Sequence, residues 1–552
     1  MTRPVLPELP VWRRIRRYAV PPAMIEACAA ARAAGDWRAA CAAGRIDVEV
    51  DLAAVRDGFG ARQADLIEAD LAVLAPDLLR WHLPRALGGR TSLATDHRWL
   101  LSVRDGRIGA DDAVLVLRAP KTVDGSQRLR LTVRSAATAE PDWPDLPPVY
   151  WSAAHVGGLR AAHGGTPDRL PGFETDGSVR PFAAYPTRVD PADPATRAEL
   201  FDRLIEAGDP VGAWAATGIE LQLDPDGKVR HDPGVPIGLV LPVSLAAELD
   251  RLHARYGIDA LMVWEDWQLG GELRREPHGV TFRPLESRSD YYRKPRLAAP
   301  VHHRPADLEL VRHGLLDPAE LHPLVRAALF PSAPATPPRD RIELRREVPV
   351  RCRGEWHVLR HGDGRLDPVA HPPEEVRREQ LLAGLGGQVT GCLAAVAAWR
   401  GAAGPLPRAL RQLRREVLLR VQHGGSAALT DLLDAGLDPR LGDGRGGTLL
   451  HHLRALDDTA LVARLVDAGV PVAAGDRRGR TALHVAVGDG ARPDQVRALL
   501  AAGADPTLTD HEGYGAAELA AGKAEMYDED ELDEEYRGPR EVLAVLEEWM
   551  DR

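Results

Sequence analysis

Residues 476–486 read D-R-R-G-R-T-A-L-H-V-A, and residues 443–453 read D-G-R-G-G-T-L-L-H-H-L. Three pairs fix the register between them: Asp443 with Asp476, Thr448 with Thr481 and His451 with His484, each 33 apart. Glycines keep the same beat. Gly436, Gly469 and Gly503 stand in LLDAGLDP, LVDAGVPV and LLAAGADP, at spacings of 33 and 34, and Asp510 continues the aspartate series. A period of this length marks stacked supersecondary units, each burying its apolar face against its neighbours. Thr448 and Thr481 stand where a hydroxyl can cap a helix. Leu450 and Leu483 begin the apolar face behind them. Each repeated glycine falls where a helix ends in a left-handed residue. The two histidines are read as rings that hydrogen-bond neighbouring backbone and lock repeat to repeat, in preference to metal or catalytic roles.

The pattern resembles the ankyrin repeat family, whose D-x-x-G-x-T-P-L-H-x-A motif is met by Asp476 to Ala486 and less fully by Asp443 to Leu453. Leu449 and Ala482 replace the proline. The last unit, D-H-E-G-Y-G-A-A-E-L-A, keeps Asp510, Gly513 and Ala520 but lacks the Thr and His, as terminal units often do. An earlier degenerate unit, REVLLRVQHGGSAALTDLLDAGLDP, leads in, so the resemblance covers residues 408–552. The whole chain also looks like a group of actinobacterial ankyrin-repeat proteins. The resemblance implies a helical solenoid and protein–protein interaction. Its turn tips would be Arg445, then Arg477 and Arg478, then His511 and Glu512, and these five are the expected partner-binding residues.

Outward from this block, the expected fold class is an α+β multidomain N-terminal body carrying a C-terminal all-α ankyrin solenoid. Residues 1–90 read as mainly helical and 91–196 as β-rich with long Pro-rich loops. Residues 197–330 read as an α+β region, and 339–407 as a small sheet plus helix leading to the repeats of 408–552. Within 91–196, Leu129, Leu131 and Val133 alternate with Arg128, Arg130 and Arg134, the mark of a half-buried strand. Asp193 and Pro194 open a helix that Gly208 ends. IELQL-DPDG-KVR (219–230) predicts a hairpin. IGLVLPV (237–243), the helix with stripe Leu245, Leu249, Leu252 and Tyr256, and IDALMVW (258–264) predict one βαβ unit. Helices are expected over 374–400 and 407–422.

The chain has 552 residues and a net charge of −11, against a general nucleic-acid coat. Of 70 basic residues only four are lysines (Lys121, Lys228, Lys294, Lys523), so the arginine abundance reads as a coding bias rather than phosphate binding. The stretch Gln380–Trp399 is uncharged and near spanning length, but its four glycines argue for a close-packed helix instead. No membrane insertion is expected, and the four isolated cysteines (Cys28, Cys41, Cys352, Cys392) with no C-x-x-C suit a reducing cytoplasm.

No complete catalytic constellation emerges, and no cofactor or metal is assigned. Glu265 and Asp266 follow a predicted strand end, where α/β folds often place a site, but no partner group stands with them. His302 and His303 are adjacent and point apart. His357, His361 and His371 are strung along a hairpin and loop. D-P-D-G-K (224–228) lacks the terminal Glu of a calcium loop. W-R-R-I-R-R-Y (12–18) reads as a fold-stabilising arm. The acidic run Glu525–Glu535 holds eight carboxylates in eleven residues and is a candidate internal clamp for arginines. The expected function is a non-enzymatic scaffold or adaptor that docks a protein through the repeats. The alternative is an enzyme or toxin-like effector whose α+β body is active and whose repeats select the target.

Overall fold

The computed structural model describes residues 6, 8–138, 143–222, 240–266, 269–284, 294–335, 347–385, 389–402, 404–526 and 537–551. The chain divides into two compact units: Met1–Val123 with Arg128–Pro338, and Asp124–Gln127 with Arg339–Arg552.

The first unit opens with the helices Leu9–Tyr18, Pro22–Ala33, Trp37–Ala43, Leu52–Phe59, Ala61–Ala72 and Pro76–His82. Local chemistry sets their starts. Asp36 accepts from the Ala39 amide and Asp51 from those of Ala53 and Ala54, while proline begins others, where its missing N–H costs nothing. The basic N-terminal stretch lies in the first of these helices, and its Arg16 is buried, with Nε donating to Asp307 Oδ1 at 2.5 Å. Between the helices runs β1 (Ile46–Glu49), which the sequence pattern does not reveal because four residues carry too little period. With β2 (Arg98–Leu101), β3 (Ala113–Arg118) and β4 (Leu129–Ser135) it forms a sheet ordered β1-β4-β3-β2. β1 joins in parallel, Ile46 opposite Leu129, and the other pairs are antiparallel. β3 is buried along its whole length, and Leu129 and Leu131 of β4 point to the same core.

A second sheet has the order β5-β8-β7-β6, from β5 (Ile219–Leu221), β6 (Ala260–Asp266), β7 (Leu269–Glu276) and β8 (Gly279–Pro284). One expectation is corrected here and another falls largely outside the described residues. β5 pairs in parallel with β8 (Ile219 with Val280), and the tip and return strand of the predicted 219–230 hairpin lie outside the described residues, as does the 224–228 segment. The βαβ unit does not form among the described residues. Val240 bridges antiparallel to His303, Pro242–Ser244 is a 3-10 turn, and β6 pairs antiparallel with β7. Pro242 has no N–H to give a central strand, so the chain turns there instead. The helix Leu245–Tyr256 forms as read, stopped by Gly257 at φ 73°.

The second unit begins with β9 (Glu347–Cys352), β10 (Glu355–Gly362) and β11 (Arg365–Pro368), ordered β11-β10-β9 and wholly antiparallel. The expected 374–400 helix is two, Pro373–Gly384 and Gly391–Trp399, the second entered through Gly391 at φ 61°. The apolar Gln380–Trp399 stretch is thereby divided, and no helix of the described residues is long and apolar enough to cross a membrane. Next comes Arg408–Asp434, kinked at Gly425. The repeats follow as the 3-10 segment Leu449–Ala455 with Ala460–Asp467, then Ala482–Gly488 with Pro493–Ala501, then Ala516–Met526 with Arg537–Met550. The first of these is 3-10 and is kinked at His452, which at φ −101° and ψ 16° leaves helical geometry. One core runs through this unit. Val348, Val350, Leu359 and Leu366 of the sheet share it with Trp399, Leu410, Leu437, Leu450, Leu483 and Leu546, so the repeats are not an isolated all-α block.

Candidate functional site

The five expected partner-binding residues all lie on turns at the exposed edge of the repeats. In each turn an aspartate folds the backbone over itself. Asp443 Oδ1 accepts from the amides of Arg445 (2.6 Å) and Gly447 (3.0 Å). Asp476 Oδ1 accepts from Arg478 (2.8 Å) and Arg480 (3.0 Å), and Asp510 Oδ1 from Glu512 (2.9 Å) and Tyr514 (3.1 Å). These are Asx-type turns, in which a carboxylate replaces a backbone acceptor. All three carboxyls are held below the usual range: burial alone would raise them, and the donors they face outweigh it. Successive turns are tied in a ladder: Arg477 N donates to Arg445 O at 3.0 Å, and His511 N to Arg478 O at 2.8 Å.

The ladder places Arg445, Arg477, Arg478, His511 and Glu512 side by side, each exposed. No side-chain hydrogen bond or ion pair engages Arg445, Arg477 or Arg478 among the described residues. Other nearby arginines are used internally: Arg440 is paired with Asp438 at 2.9 Å and Arg480 with Asp476 at 2.7 Å. Gly446 and Gly479 permit the close approach. Each has positive φ, and a Cβ on either would crowd the backbone of the next turn.

Behind the tips, His451 Nδ1 accepts from the Thr448 amide (2.9 Å) while Nε2 donates to Arg480 O (3.0 Å). His484 repeats the arrangement with the Thr481 amide (3.2 Å) and Tyr514 O (3.1 Å). Each ring thus caps its own helix and bonds to the next repeat. Burial pushes the His451 pKa down, which keeps the tautomer neutral as this geometry requires.

Four residues that look isolated in sequence meet in the same unit. Cys352 ends β9. Arg353 (φ 53°) and Gly354 (φ 93°) make a two-residue turn, and β10 returns with Glu355 opposite Cys352 and His357 opposite Val350. Both central residues at positive φ define the tightest hairpin connection. Opposed residues share a sheet face, so Cys352 and His357 are diagonal neighbours. His371 precedes the helix Pro373–Gly384, and Cys392 lies in the first turn of Gly391–Trp399. Their ligand atoms all fall within 4.8 Å of one another. Cys352 Sγ is 3.6 Å and His357 Nδ1 3.0 Å from His371 Nε2. Gly391 admits the Cys352 sulfur, which a Cβ there would overlap. Both cysteines are buried free thiols, and burial beside Cys352 pushes Cys392 up to about 12. Sequence spacing hides this group, because four, 13 and 20 residues separate successive members. The turn Arg353-Gly354 between two strand-like runs was the one usable signal.

The other candidates gain little. Glu265 and Asp266 continue the backbone of β6 instead of following its end, with a register irregularity between Trp264 and Asp266, and their side chains lie outside the described set. His302 and His303 pack edge to face with ring centroids 4.5 Å apart. Most of the acidic run, residues 527–535, lies outside the described residues.

Comparison with known proteins agrees with the C-terminal geometry. A model of the ankyrin repeats family matches residues 418–510 in three copies. The C-terminal part therefore carries ankyrin repeats, over a narrower span than the resemblance in 408–552 suggested. No curated protein matches the chain.

Proposed function

We propose that the protein is a scaffold or adaptor that docks a partner protein on the exposed edge of its ankyrin turns, and that the partner presents an acidic surface there. The observation that carries the reading is the row of Arg445, Arg477 and Arg478, held in register by the backbone ladder and left without internal acceptors among the described residues. Guanidinium pairs with carboxylate in a planar two-point geometry, so a fixed row selects for matching acids. One exposed pair contributes about 0–1 kcal/mol, so affinity requires the row to act together. A reducing, cytoplasmic setting suits the four free thiols. The chain's own Glu525–Glu535 run carries the same chemistry as the proposed partner and is a natural competitor for the row.

The test is affinity capture from the native host with the full chain and with the Arg445→Glu, Arg477→Glu, Arg478→Glu triple variant. Loss of the captured partner with an unchanged melting profile supports the reading. Equal capture by both proteins sinks it. A variant with the acidic run changed to Asn and Gln should capture more.

A further inference from the structure

We propose that Cys352, His357, His371 and Cys392 form a structural zinc(II) site that fastens the β9–β10 hairpin to the helix Gly391–Trp399. The donor set comes first. Two thiolates and two imidazoles in a closed four-ligand arrangement suit a tetrahedral zinc ion better than an oxygen-seeking cation. Spacing agrees with that geometry. Around a tetrahedral zinc with ordinary bond lengths, sulfur and nitrogen lie about 3.6 Å apart and two nitrogens about 3.3 Å. Here Cys352 Sγ and His371 Nε2 are 3.6 Å apart, His357 Nδ1 and His371 Nε2 are 3.0 Å apart, and no ligand pair exceeds 4.8 Å.

The surroundings orient one ligand as a metal centre requires. His371 Nδ1 lies 3.1 Å from Glu375 Oε2, one helical turn on, and the same carboxylate accepts from Arg353 through its other oxygen at 2.6 Å. An ionised carboxylate only accepts, so the His371 proton sits on Nδ1 and the Nε2 lone pair faces the two sulfurs. A carboxylate on the far nitrogen of a ligating imidazole is the usual second layer of a zinc site. Charge closes as well. Two thiols each give up a proton, two imidazoles enter neutral, and the zinc ion balances the two thiolates, so the buried centre is neutral.

With four protein ligands and no open position, the centre is structural. It joins two strands, the loop before one helix and the first turn of another, and both strands and the second helix feed the core shared with the repeats. No ankyrin residue takes part, so the inference does not depend on the docking surface.

The test uses the full chain, purified under reducing conditions, stripped with chelator and titrated with Co(II), then with Zn(II). The expected result is one Co(II) per chain with thiolate-to-cobalt charge-transfer bands and the intense visible bands of a tetrahedral site, both erased by one equivalent of Zn(II). Glu375→Gln should keep that stoichiometry and bind about 10–100-fold more weakly. Weak octahedral cobalt bands without thiolate character would overturn the proposal. So would an unchanged affinity in Glu375→Gln, or a chain that binds no metal and whose Cys352 and Cys392 titrate as a disulfide.

Discussion

Asp70 is fully buried in the helix Ala61–Ala72, with its carboxylate accepting from the Val103 amide at 2.7 Å. Burial raises its pKa to about 6, and the Val103 bond and Arg104 only partly offset that. The folded state therefore keeps a proton that the unfolded chain has already lost. Its stabilising contribution is complete below the unfolded value of about 3.9 and is lost as pH rises through about 6. Asp77, Asp145 and Asp307 have the opposite sign. Each is buried, which alone would raise it, but each is held below the ordinary range by its cationic partners: His322 and Arg32, Arg251 and Arg255, and Arg16 respectively. Their contribution is present above about pH 4 and falls away as acid protonates them. Asp70→Asn keeps an acceptor for Val103 without the charge. It should stabilise the first unit above pH 6 by up to about 3 kcal/mol, because each tenfold change in the proton equilibrium is worth roughly 1.4 kcal/mol. The two proteins should converge near pH 4 in denaturant melts. A constant difference across that range would show that Asp70 does not titrate there.

The bond between repeats is a property of elements, because His484 belongs at once to its own helix and to the turn that follows. Its buried ring accepts from the Thr481 amide in a buried bond and donates to Tyr514 O in a partly buried one. His484→Ala removes both bonds, leaves the buried Thr481 amide without its acceptor, and should cost the second unit about 1–3 kcal/mol. The first unit's transition should not move, since repeats contact only their neighbours. A melt that shifts both transitions equally, or neither, contradicts this role. The same ring shows what sequence makes legible. Thr481 and His484 sit three apart, Gly503 ends the paired helix, and the period repeats both, so local chemistry alone specifies the element. Helix Leu245–Tyr256 was readable for the same reason, with a 3.6-residue stripe and a glycine stop. β1 was not: Ile46–Glu49 becomes a strand only because Leu129–Thr132 lies beside it. The candidate metal ligands were hidden by the same non-locality. Each is an ordinary residue until β9, β10 and Gly391–Trp399 meet.

At the scale of the whole molecule, the repeats are not the boundary of their own unit. Solenoids need end pieces that cover the open face of the terminal repeat, and residues 347–402 supply one. Asp438, fully buried, accepts from Leu366 N at 3.2 Å and from Arg400 at 3.1 Å, while Gly442 N donates to Trp399 O at 2.8 Å. These bonds hold the sheet and the helix Gly391–Trp399 against the chain segment that carries buried Leu437 and Leu441. Gly401 and Gly442 approach so closely that a side chain on Gly442 would overlap the other's backbone. Without residues 339–407, Leu437, Leu441 and parts of the leading helix lose their cover. Exposing two or three large apolar side chains costs about 1.5–3 kcal/mol each, before the loss of Arg400 and the Leu366 amide from Asp438, which keeps Arg440, is considered. A fragment of residues 339–552 should therefore unfold in one cooperative step, and a fragment of 408–552 should be less stable by several kcal/mol or fail to fold. Equal midpoints for the two fragments would mean that the repeats close their own end. Zinc extends the argument, because a cation bound only by the folded state stabilises it by an amount that grows with the logarithm of its free concentration over its Kd. Chelator should then lower the midpoint of 339–552 and leave that of 408–552 where it was.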